Sequence, residues 1–358
     1  MNVVTVVGAR PQFMKAATLS RELRLHNDEF LVHTGQHYDD LMSDVFFREL
    51  GMAAPDVNLG VGSGAQGAQT ARMLEGIEAV LLARRPDLLI VYGDTNSTLA
   101  GALAASKLGV PVAHVEAGLR SFDRSMPEEV NRVVADHLAS YLFCPTDNAV
   151  ELLAMEGITS GVHHTGDLMY DSLLAMLPVA EAQSASLFAA QCVEPGGYYL
   201  ATVHRASNTD DAATLARIFE SLGRLDLPVL LPLHPRTRSV IAANGIAAAP
   251  NLRLLEPVGY LEMLVLERYA RAILTDSGGV TREAYFLSVP CVTLRSDTEW
   301  PETLVDGWNV LAGSDIDQIV SAAQRPQPTN APLPAFGDGR AASKIVEILE
   351  RDPPHSRR

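Results

Sequence analysis

Seven charged side chains crowd residues 115–132, VEAGLRSFDRSMPEEVNR, where Glu116, Asp123, Glu128 and Glu129 alternate with Arg120, Arg124 and Arg132. Carboxylates at a strand end inside a closed cleft can take raised pKa values and act as acid or base. The guanidinium groups suit a substrate that carries negative charge. A plain solvated loop is the alternative reading. The preceding run VPVAHV (110–115) reads as a buried strand, which puts Glu116 at a strand end. Glu128 follows Pro127, a favourable first-turn position, so one of Glu128 and Glu129 is expected to serve only the helix dipole.

Other segments pass the same positional test. GARPQFMK (8–15) follows the first strand and carries Arg10 and Lys15 beside a glycine turn. Such a turn offers backbone N–H groups to an anion; a turn with two surface cations is the plainer reading. No GxGxxG and no GxxxxGK[ST] occurs, which disfavours nicotinamide and P-loop chemistry. GDTNST (93–98) places Asp94 where a strand turns into a helix, and a helix cap is the plainer role for it. ATVHRASN (201–208) sets His204 and Arg205 at a strand end, and LHPRTR (233–238) repeats the theme with His234, Arg236 and Arg238. His204 reads as a catalyst or as a hydrogen-bonded structural group, and the second group could bind phosphate or decorate a helix start. In TDSGGVTREA (275–284), Ser277, Gly278 and Gly279 turn a strand into a helix, a layout that lets a diphosphate approach open N–H groups. Glu283, one to two turns on, suits ribose hydroxyls.

The elements that must hold these residues alternate. Strands are expected at 3–8, 30–34, 88–93, 110–115 and 141–145, with helical segments at 38–50, 66–84, 95–108 and 128–140. A second series follows at 198–204, 229–234, 252–257, 272–277 and 290–295. Continuous Val/Ile/Leu runs separated by helices indicate parallel sheets covered on both faces. The fold class is therefore α/β, with two Rossmann-like domains facing a cleft. The expected division is 1–167 for the domain carrying acid/base residues, 168–337 for a nucleotide-binding domain, and 338–358 for a C-terminal helix, packing back on the first domain, with a tail.

Composition narrows the function. The chain has 358 residues, 47% of them hydrophobic, and a net charge of −15, which argues against a nucleic-acid binder held by a general positive surface. Cys144, Cys192 and Cys291 are odd in number, widely spaced and in apolar company, so reduced thiols and a cytoplasmic protein are expected, with no metal spacing. The N-terminal run has no signal-peptide pattern, and no apolar run approaches the roughly 20 residues of a membrane helix.

Taken together and in order, GARPQFMK, GDTNST, HVEAGLRS, PEEVNR, the His-Arg pair after YYLATV, and TDSGGVTREA resemble the non-hydrolysing UDP-N-acetylglucosamine 2-epimerases over about residues 3–312. The resemblance implies a glycosyltransferase-B-like fold, a homodimer, and interconversion of C2 epimers of a UDP-N-acetylhexosamine. It implies neither metal nor nicotinamide, and no cofactor. It also implies a catalytic set of Asp94, Glu116, Glu128 and His204. The diphosphate would be held by Arg10, Lys15 and Ser277–Gly279, and the ribose by Glu283.

Three departures bear on the sugar. The family opening is closer to G-T-R-P-E-x-x-K; Trp300 stands where the familiar enzymes have an arginine, and Val258 where they have a glutamine. These variants resemble a branch acting on UDP-2,3-diacetamido-2,3-dideoxyglucuronate, whose carboxylate would call for a cation, with Arg205, Arg295 and His234 as candidates. Gln36 and His37 match part of a region that binds an activating second UDP-sugar in some bacterial members. A UDP-sugar transferase of the same architecture, a hydrolysing epimerase and a nucleotide-sugar sensor are the competing readings.

Overall fold

The computed structural model describes residues 1–36 and 51–354. The helix expected at 38–50, His37 and the last four residues of the tail lie outside the described residues.

Val, Ile and Leu runs form the strands because a parallel strand covered on both faces buries every side chain. In the first sheet these are β1 (Asn2–Val7), β2 (Asp28–His33), β3 (Val57–Asn58), β4 (Leu88–Tyr92), β5 (Val112–Val115), β6 (Tyr141–Cys144) and β7 (Val162–His164). The second sheet holds β8 (Tyr199–Thr202), β9 (Val229–Pro232), β10 (Leu252–Leu255), β11 (Ile273–Thr275), β12 (Cys291–Thr293) and β13 (Asn309–Leu311). The spatial orders are β3-β2-β1-β4-β5-β6-β7 and β10-β9-β8-β11-β12-β13. All pairings are parallel, with Val4 between Phe30 and Leu89, and Leu274 between Ala201 and Val292. The edge strands β3, β7 and β13 do not stand out in the sequence. They are two or three residues long, too short for a period to show.

Each sheet reverses its winding once, between β1 and β4 and between β8 and β11. Loops leaving neighbouring strands at such a point diverge to opposite faces and open a crevice at the carboxyl ends. Helices on both faces hold the sheets. Helix Gln66–Arg84 shows why: Gln69, Met73, Ile77 and Leu81 recur every fourth residue and are its buried positions. Met73, Ile77 and Leu81 join Val4, Val6, Leu89 and Val91 in one core. A second core gathers Tyr199, Ala201, Leu231 and Leu274 beneath Leu215, Ile218 and Leu222 of helix Ala212–Gly223.

The chain divides into two compact units, Met1–Leu174 with Pro334–Arg358, and Ala175–Leu333. Helix Ala341–Arg351 belongs to the first unit. Its stripe of Ala341, Ala342, Ile345, Val346 and Leu349 is buried, and it packs on helix Arg10–Leu23. The Asp171 carboxylate accepts the Ala342 N–H (2.8 Å), and Tyr141 donates to the Asp352 carbonyl (2.7 Å) at the other end. Among the described residues no single helix is long and apolar enough to cross a membrane.

Leu349 is fully buried. Leu349→Ala should destabilise the first unit by about 2–5 kcal/mol through lost burial and the cavity left behind. Urea unfolding should show a lower midpoint with an unchanged slope; an unchanged midpoint would mean that the helix does not anchor that core.

Candidate active site

In the first unit the turns after β1 and β4 meet at the reversal of strand order. Gln12 ties them together. Its carbonyl accepts the Gly8 and Ala9 N–H groups (2.8 and 3.0 Å), and its amide donates to the Tyr92 carbonyl (2.7 Å) and the Thr95 hydroxyl (2.9 Å). A glutamate here could accept but not donate, which gives Gln12 a physical reason to depart from the family's usual opening. Gly93 has φ +60°, and a Cβ there would come within 3.2 Å of a Glu116 carboxylate oxygen, so glycine suits both the backbone and the space.

Asp94 is not the helix cap. That role falls to Thr95, whose side chain accepts the Thr98 N–H. The Asp94 carboxylate, about a third exposed, pairs with Arg132. Glu116 follows β5 with φ +65°, and its carboxylate lies 2.5 Å from the Lys15 ammonium. Lys15 is buried, so the plainer sequence reading of it as a surface cation does not hold. Arg132 spans both turns: one nitrogen takes Asp94, while the other donates to the Glu116 carbonyl (2.8 Å) and stands 3.8 Å from its carboxylate. Burial would lower the Arg132 pKa, but the charges of Asp94 and Glu116 outweigh it and raise the value.

A second layer lies beneath. His114 on β5 is fully buried between the Asp136 carboxylate and the Gly93 carbonyl, both at 2.7 Å. Both neighbours are acceptors, so a proton on either ring nitrogen has a partner. Burial would raise Asp136, yet His114 and Arg120 outweigh it and hold the carboxylate below its usual range. Arg120 continues the chain to Glu156, with bonds of 2.7 and 2.8 Å. Of the two glutamates after Pro127, Glu129 is the structural one: it is buried and accepts N–H groups from Ser121 (2.7 Å) and Phe122 (3.1 Å). Glu128 is exposed and has no side-chain hydrogen bond or ion pair with the described residues. Gln36 accepts from the Ser97 N–H and hydroxyl (3.1 and 2.7 Å) at the start of helix Asn96–Leu108. Arg10 opens helix Arg10–Leu23; its side chain lies outside the described groups.

In the second unit the loops after β8 and β11 meet in the same way. Asp276, fully buried, accepts the backbone N–H groups of His204 (3.0 Å) and Arg205 (2.9 Å). The His204 ring, with its side chain 39% exposed, is tilted against His234 at 5.7 Å between centroids. His234 caps helix Pro235–Asn244 by accepting the Arg236 N–H (3.2 Å), so its helix-start role is realised. Arg236 and Arg238 pair with Asp210 and Glu256.

Ser277 caps helix Gly278–Phe286, whose first N–H groups have no partner within the helix. Glu299 sits beside this turn, 3.7 Å from where a Gly278 Cβ would stand. It grips Arg295 with two bonds of 2.9 Å and lies 3.5 Å from Arg205. Burial would raise Glu299, but Arg295 and then Arg205 outweigh it and bring its pKa to about 2. Trp300 follows, with its indole nitrogen 3.4 Å from the same Gly278 position and the Arg282 guanidinium 3.9 Å over its ring. Glu283 is buried alongside Glu267 and Tyr260.

Thus Lys15, Asp94 and Glu116 form one cluster in the first unit, and His204, Arg205, His234 and Ser277–Gly279 form another in the second. The residues that assemble them, Gln12, Arg132, Asp276 and Glu299, escape a reading by motif. The available signal was position: Arg132 shares the buried face of helix Pro127–Leu138 with Glu129 and Asp136, and Asp276 directly follows a strand.

Two parallel-sheet α/β units with ionisable groups and a glycine turn at their reversal points have the architecture of the glycosyltransferase-B-like fold. Residues 21–350 match the UDP-N-acetylglucosamine 2-epimerase family, and the chain belongs to it. It is 51% identical to a UDP-N-acetylglucosamine 2-epimerase homolog of Methanococcus maripaludis, covering 98% of this chain and 99% of that one. It is 46% identical to the UDP-2,3-diacetamido-2,3-dideoxy-D-glucuronate 2-epimerase of Pseudomonas aeruginosa, covering 98% and 100%. Among solved structures, the Methanocaldococcus jannaschii UDP-GlcNAc 2-epimerase in complex with UDP-GlcNAc and UDP aligns with a TM-score of 0.89 at 42% identity, over 98% and 100% of the two chains.

Burial, and then the charge and hydrogen bonding of Glu283, push the Glu267 pKa well above its usual value. An acid raised in the folded state stays neutral while the unfolded chain ionises above about 4.3, so stability falls as pH rises from there towards the folded value. Glu267→Gln removes that loss. Its gain should be near zero at pH 4 and reach about 1–3 kcal/mol at pH 8, the cost of a poorly partnered buried polar group. Thermal unfolding of the second unit at both pH values measures it; a destabilised variant at pH 8 would contradict the assignment.

Proposed function

We propose that this chain is a non-hydrolysing 2-epimerase of a UDP-N-acetylhexosamine. A base takes the C2 proton, the C–H electron pair becomes the C1=C2 double bond of a 2-acetamidoglycal, and UDP leaves C1 with its bonding pair. Protonation of C2 on the other face, with return of UDP to C1, gives the epimer. Asp94, Glu116, Glu128 and His204 form the acid/base set. Lys15, Arg10 and the Ser277–Gly279 turn carry the diphosphate, Glu283 the ribose, and Arg205 and His234 contact the substrate.

The observation that carries this reading, beside family membership, is the Glu116 carboxylate held 2.5 Å from buried Lys15 with Arg132 behind it. Proton transfer at two faces of a sugar needs more than one such group, and they must be held before substrate arrives. An open N–H cluster at the start of helix Gly278–Phe286 fits departure and recapture of a diphosphate. The sugar is UDP-GlcNAc or UDP-2,3-diacetamido-2,3-dideoxyglucuronate. Trp300 points to the second, while the higher identity to the Methanococcus maripaludis UDP-N-acetylglucosamine 2-epimerase homolog points to the first. In keeping with this chemistry we place the protein in the cytoplasm, as a homodimer, in cell-surface polysaccharide biosynthesis.

Incubation with each UDP-sugar in heavy water, followed by proton NMR, tests the reaction. Deuterium should enter C2, and both epimers should appear without stoichiometric UDP release. Accumulating UDP would indicate a hydrolysing epimerase, and an unexchanged C2 proton a transferase or sensor. His204→Ala and Glu116→Gln should each cost about 10²–10⁴-fold in turnover with unchanged circular dichroism; near-normal activity removes the residue concerned from the catalytic set.

A further inference from the structure

Asp276 is the first residue past β11, at the reversal of strand order with β8, and none of it is exposed. Taking a carboxylate out of water is costly unless donors replace the lost hydration. Here they come from one short loop. Both oxygens accept the His204 N–H (3.1 and 3.0 Å), and Oδ2 also accepts the Arg205 N–H (2.9 Å) and the Asn208 side-chain amide (3.1 Å). Asn208 donates in addition to the Leu294 carbonyl (2.9 Å), which fixes the loop to the chain beyond β12. The remaining neighbour is the His204 ring, with Nδ1 3.4 Å from Oδ1.

We propose that Asp276 is the positioning residue for His204: it sets the backbone of the His204–Arg205 turn and holds the ring proton on Nδ1, leaving Nε2 to exchange a proton with the substrate. An acceptor on one side of an imidazole fixes which nitrogen is protonated, and with it the nitrogen that can act. The other charged and titratable groups around the ring are already engaged. His234 Nδ1 accepts the Arg236 N–H, and the Arg205 guanidinium turns to Glu299 at 3.5 Å. Asp276 is thus the group that orders the tautomer. The catalytic half of this inference rests on the reading of His204 given above; the tautomer half does not.

The test uses the full-length protein labelled with 15N-histidine, with His204 assigned by the signals lost in His204→Gln. Long-range proton–nitrogen spectra at pH 8 should show His204 protonated on Nδ1. An Nε2-protonated ring in the wild type would overturn the inference, and this arm needs neither turnover nor a variant of Asp276. In Asp276→Asn the tautomer should shift, kcat should fall roughly 10²-fold or more while KM changes less than about 3-fold, and the pH limb belonging to His204 should move. The same substitution in the His204→Gln background should cost nothing further. A full additional loss there would make Asp276 a support of the fold alone and sink the proposal. If the wild type exchanges no C2 proton with solvent, the epimerase reading falls while the tautomer result still decides the Asp276–His204 link.

Discussion

A buried guanidinium must find acceptors in fixed directions, and in the first unit Arg132 imposes that demand on two turns at once. One side of its fork takes Asp94 and the other the Glu116 carbonyl. Glu116 sits in the left-handed region, which costs a non-glycine residue on the order of 1–3 kcal/mol unless its surroundings hold it. Its N–H and that of Ala117 both donate to the Phe143 carbonyl (3.1 Å each), and Arg132 fixes the other side of the residue. Asn131 adds bonds to the Asp94 carbonyl (2.9 Å) and Asn96 (3.1 Å). Helix Pro127–Leu138 therefore docks through a polar face. Removing the fork would leave two carboxylates near a single ammonium, and the geometry of Lys15 with Glu116 would go with it.

The second unit handles buried carboxylates in three ways. Asp276 is satisfied by two backbone N–H groups and the Asn208 amide. Glu299 is clamped by Arg295, with Arg205 nearby, and stays ionised at any ordinary pH. Glu267 faces another carboxylate and is pushed towards the neutral form. The contrast separates roles. A clamped carboxylate aims cations at a glycine turn, whereas burial beside Glu283 pushes Glu267 towards its neutral form.

The sheets were legible because apolar strands and amphipathic helices announce themselves by period. The helix predicted at 66–84 is the helix observed, and the five long runs of the first half each overlap a strand. The short edge strands carry too few residues for a pattern. In the site, residue types were legible and their partners were not. Asp94 reads as a cap by composition, but Thr95 takes the cap and frees Asp94 for Arg132. The glutamates of PEEVNR read as a first turn serving the helix dipole, yet Glu129, Asn131, Arg132 and Asp136 are buried on this helix. Such a face is stable only when each charge has a fixed partner, and those partners lie on other strands, beyond the reach of local pattern.

Trp300 raises a charge question of its own, because an indole cannot neutralise a diphosphate and the resemblance places an arginine at this position. The structure supplies the cation from the neighbouring helix. Arg282 lies 3.9 Å over the Trp300 ring, and the indole edge packs against Gly278. A desolvated guanidinium over an indole gains about 2 kcal/mol from the ring quadrupole. Arg282 therefore brings positive charge near the turn, and the indole sets a flat apolar wall beside it. Such a wall excludes water, which strengthens each remaining interaction with an anion. In this chain the indole and Arg282 form one stacked pair beside the Gly278 turn.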